Sequence, residues 1–189
     1  KKFITLGPLA DVALVFASVD LSKGRWGVTG FLVEKTSPGY RVEATCEKMG
    51  VRTVPMGTIH LEDCIVPEAN RLGPECAGVS ISTSSLEWER TFILASQLGA
   101  MERQLETTIR YARERKQFGT SIGSFQSVSN RIADMKMRLE AARLLLYHVA
   151  SLKEQGESAM LEAALTKLFI SESYVTSSSD ALRVHGGAG

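Results

Sequence analysis

Residues 124–156, SFQSVSNRIADMKMRLEAARLLLYHVASLKEQG, decide the fold. The apolar positions Val128, Ile132, Met135, Leu139, Ala142, Leu146 and Val149 recur at alternating steps of four and three. That period keeps one face of an α-helix against a neighbour and reads as a bundle seam. Ser124 is the expected N-cap, and Gly156 is expected to end the helix because it tolerates a left-handed backbone. A seam of this length needs partners. One helical segment, from residue 86 to about 116, precedes it and halts near Gly119. Another, from about 158 to 184, follows it and runs into His185-Gly186-Gly187-Ala188-Gly189. Long helices on short connections pack antiparallel, so this half reads as an incomplete up-down four-helix bundle.

The period changes upstream. Ala13-Leu14-Val15-Phe16 and Gly27-Val28-Thr29-Gly30-Phe31-Leu32-Val33 are short runs rich in β-formers, and Thr58-Ile59-His60-Leu61-Glu62 alternates as a half-buried strand does. Ser37-Pro38-Gly39 signals a turn, and Val66-Pro67 ends the stretch that holds residues 58–62, within a β region that runs to about Leu72. Several short strands at close spacing point to a barrel or sandwich. The expectation is therefore an α+β chain, with a partial β-barrel-like domain over residues 1–78 and a helical bundle over 79–189. The chain opens on Lys1-Lys2-Phe3-Ile4-Thr5, already strand-like and without Met, and ends on glycine. Both features lead us to expect further sequence at either end.

Composition narrows the function classes. With 189 residues the chain can bury a real core. Its 44% hydrophobic and 23% charged residues are ordinary for a soluble globular protein. A formal net charge of +1 offers no broad field for a polyanion, so nucleic acid is not an expected partner. No apolar run approaches the roughly 18–20 residues of a membrane span, and no membrane partner is expected. The three cysteines, Cys46, Cys64 and Cys76, include no Cys-x-x-Cys pair, and read as small core residues in a reducing, cytoplasmic setting. His60, His148 and His185 have no second ligand type at useful spacing, so no metal site is expected.

Taken singly, the candidate chemical residues suit plain structural roles. Glu87, Glu89 and Arg90 open a helix, where carboxylates favour the dipole. Arg113-Glu114-Arg115-Lys116 closes one, where cations belong. The glycine run 186–189 can cradle a phosphate, yet one glycine loop is a weak signal.

Their order carries more. Tyr111-Ala112-Arg113-Glu114-Arg115-Lys116-Gln117-Phe118-Gly119 is followed by Ile122 and Phe125-Gln126. Ala164-Leu165-Thr166-Lys167 and Val184-His185-Gly186-Gly187-Ala188-Gly189 come next. This succession resembles the C-terminal domain of the acyl-CoA dehydrogenase family. Lys48-Met49-Gly50-Val51-Arg52, with Met56, Leu61, Asp63, Val66-Pro67, Asn70 and Leu72-Gly73, resembles the end of that family's central β domain. Lys2-Phe3-Ile4-Thr5 with Ala10-Asp11 resembles its strand beside the flavin.

The resemblance implies FAD, a homotetramer and an N-terminal helical domain that this chain lacks. It implies cofactor contacts at Phe3, Ile4 and Thr5, where the family often has Trp in place of Phe3 and Asn in place of Leu6. Arg115, Gln117 and Phe118 match residues that reach the FAD of a neighbouring subunit, and Ile122 and Gln126 match further contacts. Arg183, Gly186 and Gly187 match the loop near the adenosine end, where the family usually carries Gln in place of Arg183.

The implied reaction is α,β-dehydrogenation of an acyl thioester. A base takes the Cα proton while a hydride leaves Cβ for the flavin, and an electron-transfer flavoprotein-like acceptor removes the electrons. Most members place the base glutamate in a loop beyond the glycine segment. A minority place it at the start of the first bundle helix, where Glu89 falls, with Glu87 and Arg90 on the substrate side. Trp88-Glu89 and the run 123–132 resemble members acting on carrier-protein thioesters, among them prolyl-carrier-protein dehydrogenases. The thioester carrier is thus CoA or a carrier protein. The competing expectations are a flavin oxidase or monooxygenase on the same fold, and a flavin-free helical assembly module.

Overall fold

Alternating apolar residues and short turns build the first half of the computed structural model, which describes residues 1–43 and 45–189. The chain divides into two units, Lys1–Thr83 and Ser84–Gly189. In the first, the strands are β1 (Ile4–Thr5), β2 (Val12–Ser18), β3 (Val28–Glu34), β4 (Tyr40–Val42), β5 (Met56–Gly57), β6 (Ile59–Leu61) and β7 (Arg71–Leu72). Strand β3 pairs antiparallel with both β2 and β7, β1 pairs with β5, and β4 pairs with β6. Among the described residues these are separate small sheets and not the closed barrel that the short strands suggested. Two-residue pairings such as β1 with β5 are too short to close one.

Val15, Val33, Tyr40 and Ile59 form this unit's buried core, with Cys64 packed against it. Cys46 and Cys76 are half-buried and free. The expected turn between β3 and β4 is present. Tyr40 donates its N–H to the Ser37 carbonyl at 3.0 Å, and Gly39 adopts φ 84°. A Cβ at Gly39 would lie 2.0 Å from the Glu62 carbonyl oxygen, so glycine is required there.

The second half is helical, with α1 (Gly78–Phe92), α2 (Ala95–Glu114), α3 (Gln126–Glu154) and α4 (Met160–His185). The helix expected from residue 86 begins earlier and is broken at Ile93–Leu94. There Leu94 donates to the Thr91 carbonyl, a tight i→i−3 turn. Hydroxyls on both sides take part: Thr91 Oγ1 donates to the Glu87 carbonyl at 3.3 Å and Ser96 Oγ to the Ile93 carbonyl at 2.9 Å. Such back-bonding by Ser and Thr bends helices.

Ser124 does not cap α3. It ends a short 3₁₀ turn, and its hydroxyl lies 3.4 Å from Thr120 Oγ1 and 3.3 Å from Ser121 Oγ. The seam itself is as read: Met135, Leu139, Ala142, Leu146 and Val149 are buried, with Val128 and Ile132 half-buried. It packs with Leu94, Leu98, Met101, Leu105 and Ile170. Helix α4 contributes Ala163, Thr166, Ile170, Ser173, Ser177, Asp180 and Val184 on the same alternating period. Among the described residues no helix is long and apolar enough to cross a membrane, and no group of three metal-ligating side chains occurs.

Candidate functional site

Two aromatic side chains violate ordinary folding economy. Phe3 has φ 57° and is 69% exposed, and Phe118 has φ 55° and is 93% exposed. A left-handed backbone at a bulky residue costs about 1–3 kcal/mol, and a ring left in water returns little of it. Both residues are among the cofactor contacts that the sequence implies.

In the first unit, Phe3 and Leu6 (φ 59°) bracket β1. Ile4 lies opposite Gly57 and packs on the β core, while Thr5 lies opposite Met56 and is exposed. Pairing with β5 leaves the Thr5 side chain at the surface.

In the second unit, α2 runs out into a hairpin. Its strands β8 (Lys116–Gln117) and β9 (Thr120–Ser121) pair Lys116 with Ser121 and Gln117 with Thr120. Phe118 and Gly119 occupy the turn, both with positive φ, at 55° and 81°. This is a type I′ turn, which usually takes Asn-Gly. Phe118 stands edge-on to Phe125 at 6.2 Å. Arg115 and Gln126 are exposed, and the Gln117 amide donates to the Lys116 carbonyl. Ile122 is half-buried and donates its N–H to the Arg115 carbonyl at 2.9 Å.

The end of α4 lies at the same end of this unit. Tyr111, near the end of α2, stacks on His185 at 4.4 Å and donates to its carbonyl at 3.4 Å. Beyond His185, Gly186 has φ 60°, and nothing lies within 4 Å of where a Cβ would stand on Gly186 or Gly187. Arg183 is exposed and 3.7 Å from buried Asp180, whose carboxylate is already bonded by Arg131 at 2.8 Å and Arg138 at 2.9 Å. An exposed guanidinium, free aromatic faces and open glycine backbone suit a ligand that carries both phosphate and flat rings.

Glu87, Glu89 and Arg90 sit at the opposite end of this unit, on α1. Glu89 and Arg90 are exposed. Glu87, expected on the substrate side, turns its carboxylate into the bundle. Lys153 of α3 donates to it, and the Ala159 N–H, just before α4, donates to it at 2.7 Å. The Glu87 and Lys153 side chains are only 10% and 12% exposed. The ammonium also lies 5.4 Å over the Trp88 ring, which contacts Phe92 at 5.2 Å. The Lys153 hydrogen bond, followed by that of Ala159, holds the Glu87 carboxyl below its ordinary value.

Sequence reasoning does not single out Lys153, although a signal exists. It lies one four-residue step beyond Val149 on the α3 seam, where an apolar residue is due. The structure thus gathers Arg115, Gln117, Phe118, Ile122 and Gln126 with Arg183, Gly186 and Gly187 at one end of the helical unit. It does not bring Glu89 to them.

Residues 77–189 match the acyl-CoA dehydrogenase C-terminal domain, and residues 1–64 match the middle domain of that family. An L-prolyl peptidyl-carrier-protein dehydrogenase of Pseudomonas fluorescens is 47% identical over all 189 residues, which cover 50% of its length. The solved prolyl acyl carrier protein oxidase AnaB superposes with a TM-score of 0.95 at 47% identity, over 100% of this chain and 50% of its own. PigA, solved with FAD and proline, gives a TM-score of 0.95 at 43% identity, over 100% and 49%. The chain spans about half the length of the curated relatives it matches.

Proposed function

Because this chain belongs to the acyl-CoA dehydrogenase family, we propose that it carries the β and helical portions of an FAD-dependent enzyme that introduces a Cα–Cβ double bond into an acyl thioester. The observation that carries this reading is the pair of strained, exposed aromatic residues, Phe3 and Phe118, near in sequence to the exposed polar side chains of Thr5 and of Arg115 and Gln117. Folding alone does not account for them. FAD, when bound, accepts the hydride released from the substrate Cβ.

Thr5 offers a hydroxyl and Phe3 a ring face for the flavin end. Arg115 supplies a planar donor fork for phosphate oxygens, and the 186–187 backbone leaves room for the adenosine end. Glu89, exposed on α1, takes the Cα proton, so that both C–H bonds are broken and the electron pair from Cβ–H leaves with the hydride. Arg90, beside it, faces the thioester side. The likeness to AnaB, a prolyl acyl carrier protein oxidase, favours a carrier-protein thioester over CoA, with proline as the first acyl group to test. Assembly as a homotetramer, and transfer of electrons to an electron-transfer flavoprotein-like acceptor, belong to the same proposal.

The test is anaerobic mixing of the intact, flavin-loaded protein with a prolyl thioester of phosphopantetheine or of a carrier protein. The expected result is rapid bleaching of the flavin absorbance. Glu89→Gln should keep its yellow colour yet bleach about 10²–10⁴-fold more slowly. A Glu89→Gln enzyme that bleaches at the native rate removes Glu89 as the base, and a colourless protein that takes up no FAD removes the flavoenzyme reading. Rapid peroxide release in air would favour an oxidase over electron transfer to a flavoprotein.

A further inference from the structure

We infer that Lys153 is a positioning residue for Glu89, acting through Glu87; this rests on the reading of Glu89 as the base. Little else holds the first part of α1 within the helical unit. Of residues 84–90, Glu87 alone is not exposed. One turn on, Thr91 and Leu94 are fully or nearly buried, followed by Leu98 on the next turn. Glu87, Thr91, Leu94 and Leu98 therefore share one inward face at steps of four, three and four.

The turn at Ile93–Leu94 interrupts the regular ladder between α1 and α2. Thr91, fully buried on the same helix, fixes the inward face one turn on, and within residues 84–90 Glu87 carries that face further. The Glu87 carboxylate is held there, with the Lys153 ammonium on one side and the Ala159 N–H on the other.

Helical geometry then fixes Glu89. Two residues further along, at about 100° per residue, its side chain projects roughly 200° from that of Glu87. Pinning Glu87 inward aims Glu89 outward. Trp88 lies between them in sequence, and its ring is held by the Lys153 ammonium and by Phe92. Lys153 touches neither Glu89 nor the reacting atoms. It determines where the base carboxylate stands, and a displacement of about 1 Å in a reacting group can cost on the order of 100-fold in rate.

The experiment compares Lys153→Met, Lys153→Arg and Glu89→Gln in the intact, flavin-loaded enzyme, with rates normalised to bound flavin. We expect Lys153→Met to slow flavin reduction about 10- to 100-fold with little change in KM or FAD content. The slowed reaction should show a larger isotope effect with substrate deuterated at Cα, since proton removal is the affected step. Lys153→Arg, which keeps a donor to Glu87, should recover most of the rate. Lys153→Met that merely melts earlier, with an unchanged rate per flavin and an unchanged isotope effect, would overturn the inference while Glu89→Gln remains inactive. If Lys153→Met fails to fold, Glu87→Gln provides the second arm: it keeps an acceptor for Ala159 but loses the charge that holds Lys153, so a native rate and isotope effect there also overturn the inference. An active Glu89→Gln would instead remove the reading on which the inference rests.

Discussion

At Phe118 the cost of the site is borne by one residue. A type I′ turn wants Asn-Gly, and this chain supplies Phe-Gly with the ring 93% exposed. Phe118→Asn is therefore expected to leave the stability of the protein unchanged or raise it by about 0.5–1 kcal/mol. The same change should weaken FAD retention, read as faster flavin loss on dilution or gel filtration. A variant both less stable and normal in flavin retention would make Phe118 a packing residue. This strain was not legible in the sequence, because a Phe before a Gly reveals nothing of its φ until the hairpin register of Lys116 with Ser121 is known. The residue types were legible: Arg115, Gln117 and Phe118 stood out through their order along the chain. Glu87 shows the opposite limit. Its charge beside Glu89 and Arg90 read as part of one exposed group, and only its partner on α3 reveals that it belongs to the interior.

At the level of the helices, the same seam that built the core ends in ions. Glu87 and Lys153 close it at one end, and Asp180 with Arg131 and Arg138 closes it near the other. The folded-state pKa of Glu87 lies below its ordinary value of 4.5, so the unfolded chain takes up that proton more readily. Its stabilising contribution is complete above that ordinary value and is lost as pH falls through the folded-state pKa. Glu87→Gln should cost on the order of 1.5–3 kcal/mol near neutral pH, measured by urea denaturation of the helical signal. On acidification the gap between native and variant should persist just below 4.5 and narrow only as pH falls through the lowered folded-state pKa. A gap that stays constant across that range would mean that the carboxylate charge contributes nothing. The middle of the seam was legible because alternating steps of four and three match a buried helical face and no strand or loop period. The break at Ile93–Leu94 and the true start of α3 were not, since both depend on which carbonyl or hydroxyl the side chains of Thr91, Ser96 and Ser124 meet in the folded unit. The β half was legible where β2 and β3 hold runs of β-formers, and opaque where pairings span two residues.

Across the helical unit, the placement of the candidates sets a condition on assembly. Glu89 and Arg115 are separated by the last turn of α1 and all of α2. At 1.5 Å per helical residue, the 26 steps from Glu89 to Arg115 span roughly 35–40 Å. The base and the hairpin of one chain therefore stand at opposite ends of one bundle. If both serve catalysis, the hairpin of each copy serves a flavin whose base comes from another copy, as closed symmetric oligomers allow. Such sharing predicts complementation between two inactive proteins. Glu89→Gln lacks the base but keeps its hairpin, and Arg115→Ala lacks the hairpin guanidinium but keeps its base. Each alone should turn over slowly, Arg115→Ala through poor flavin retention. Co-expressed in equal amounts so that copies mix, they should regain about a quarter of the native sites, because each restored site needs one intact contribution from each variant. Activity per protomer in the purified mixed oligomer, compared with the two parents at the same flavin concentration, measures this. A mixture no more active than the average of its parents would mean that base and hairpin work in separate sites, or that Arg115 has no part in holding the cofactor.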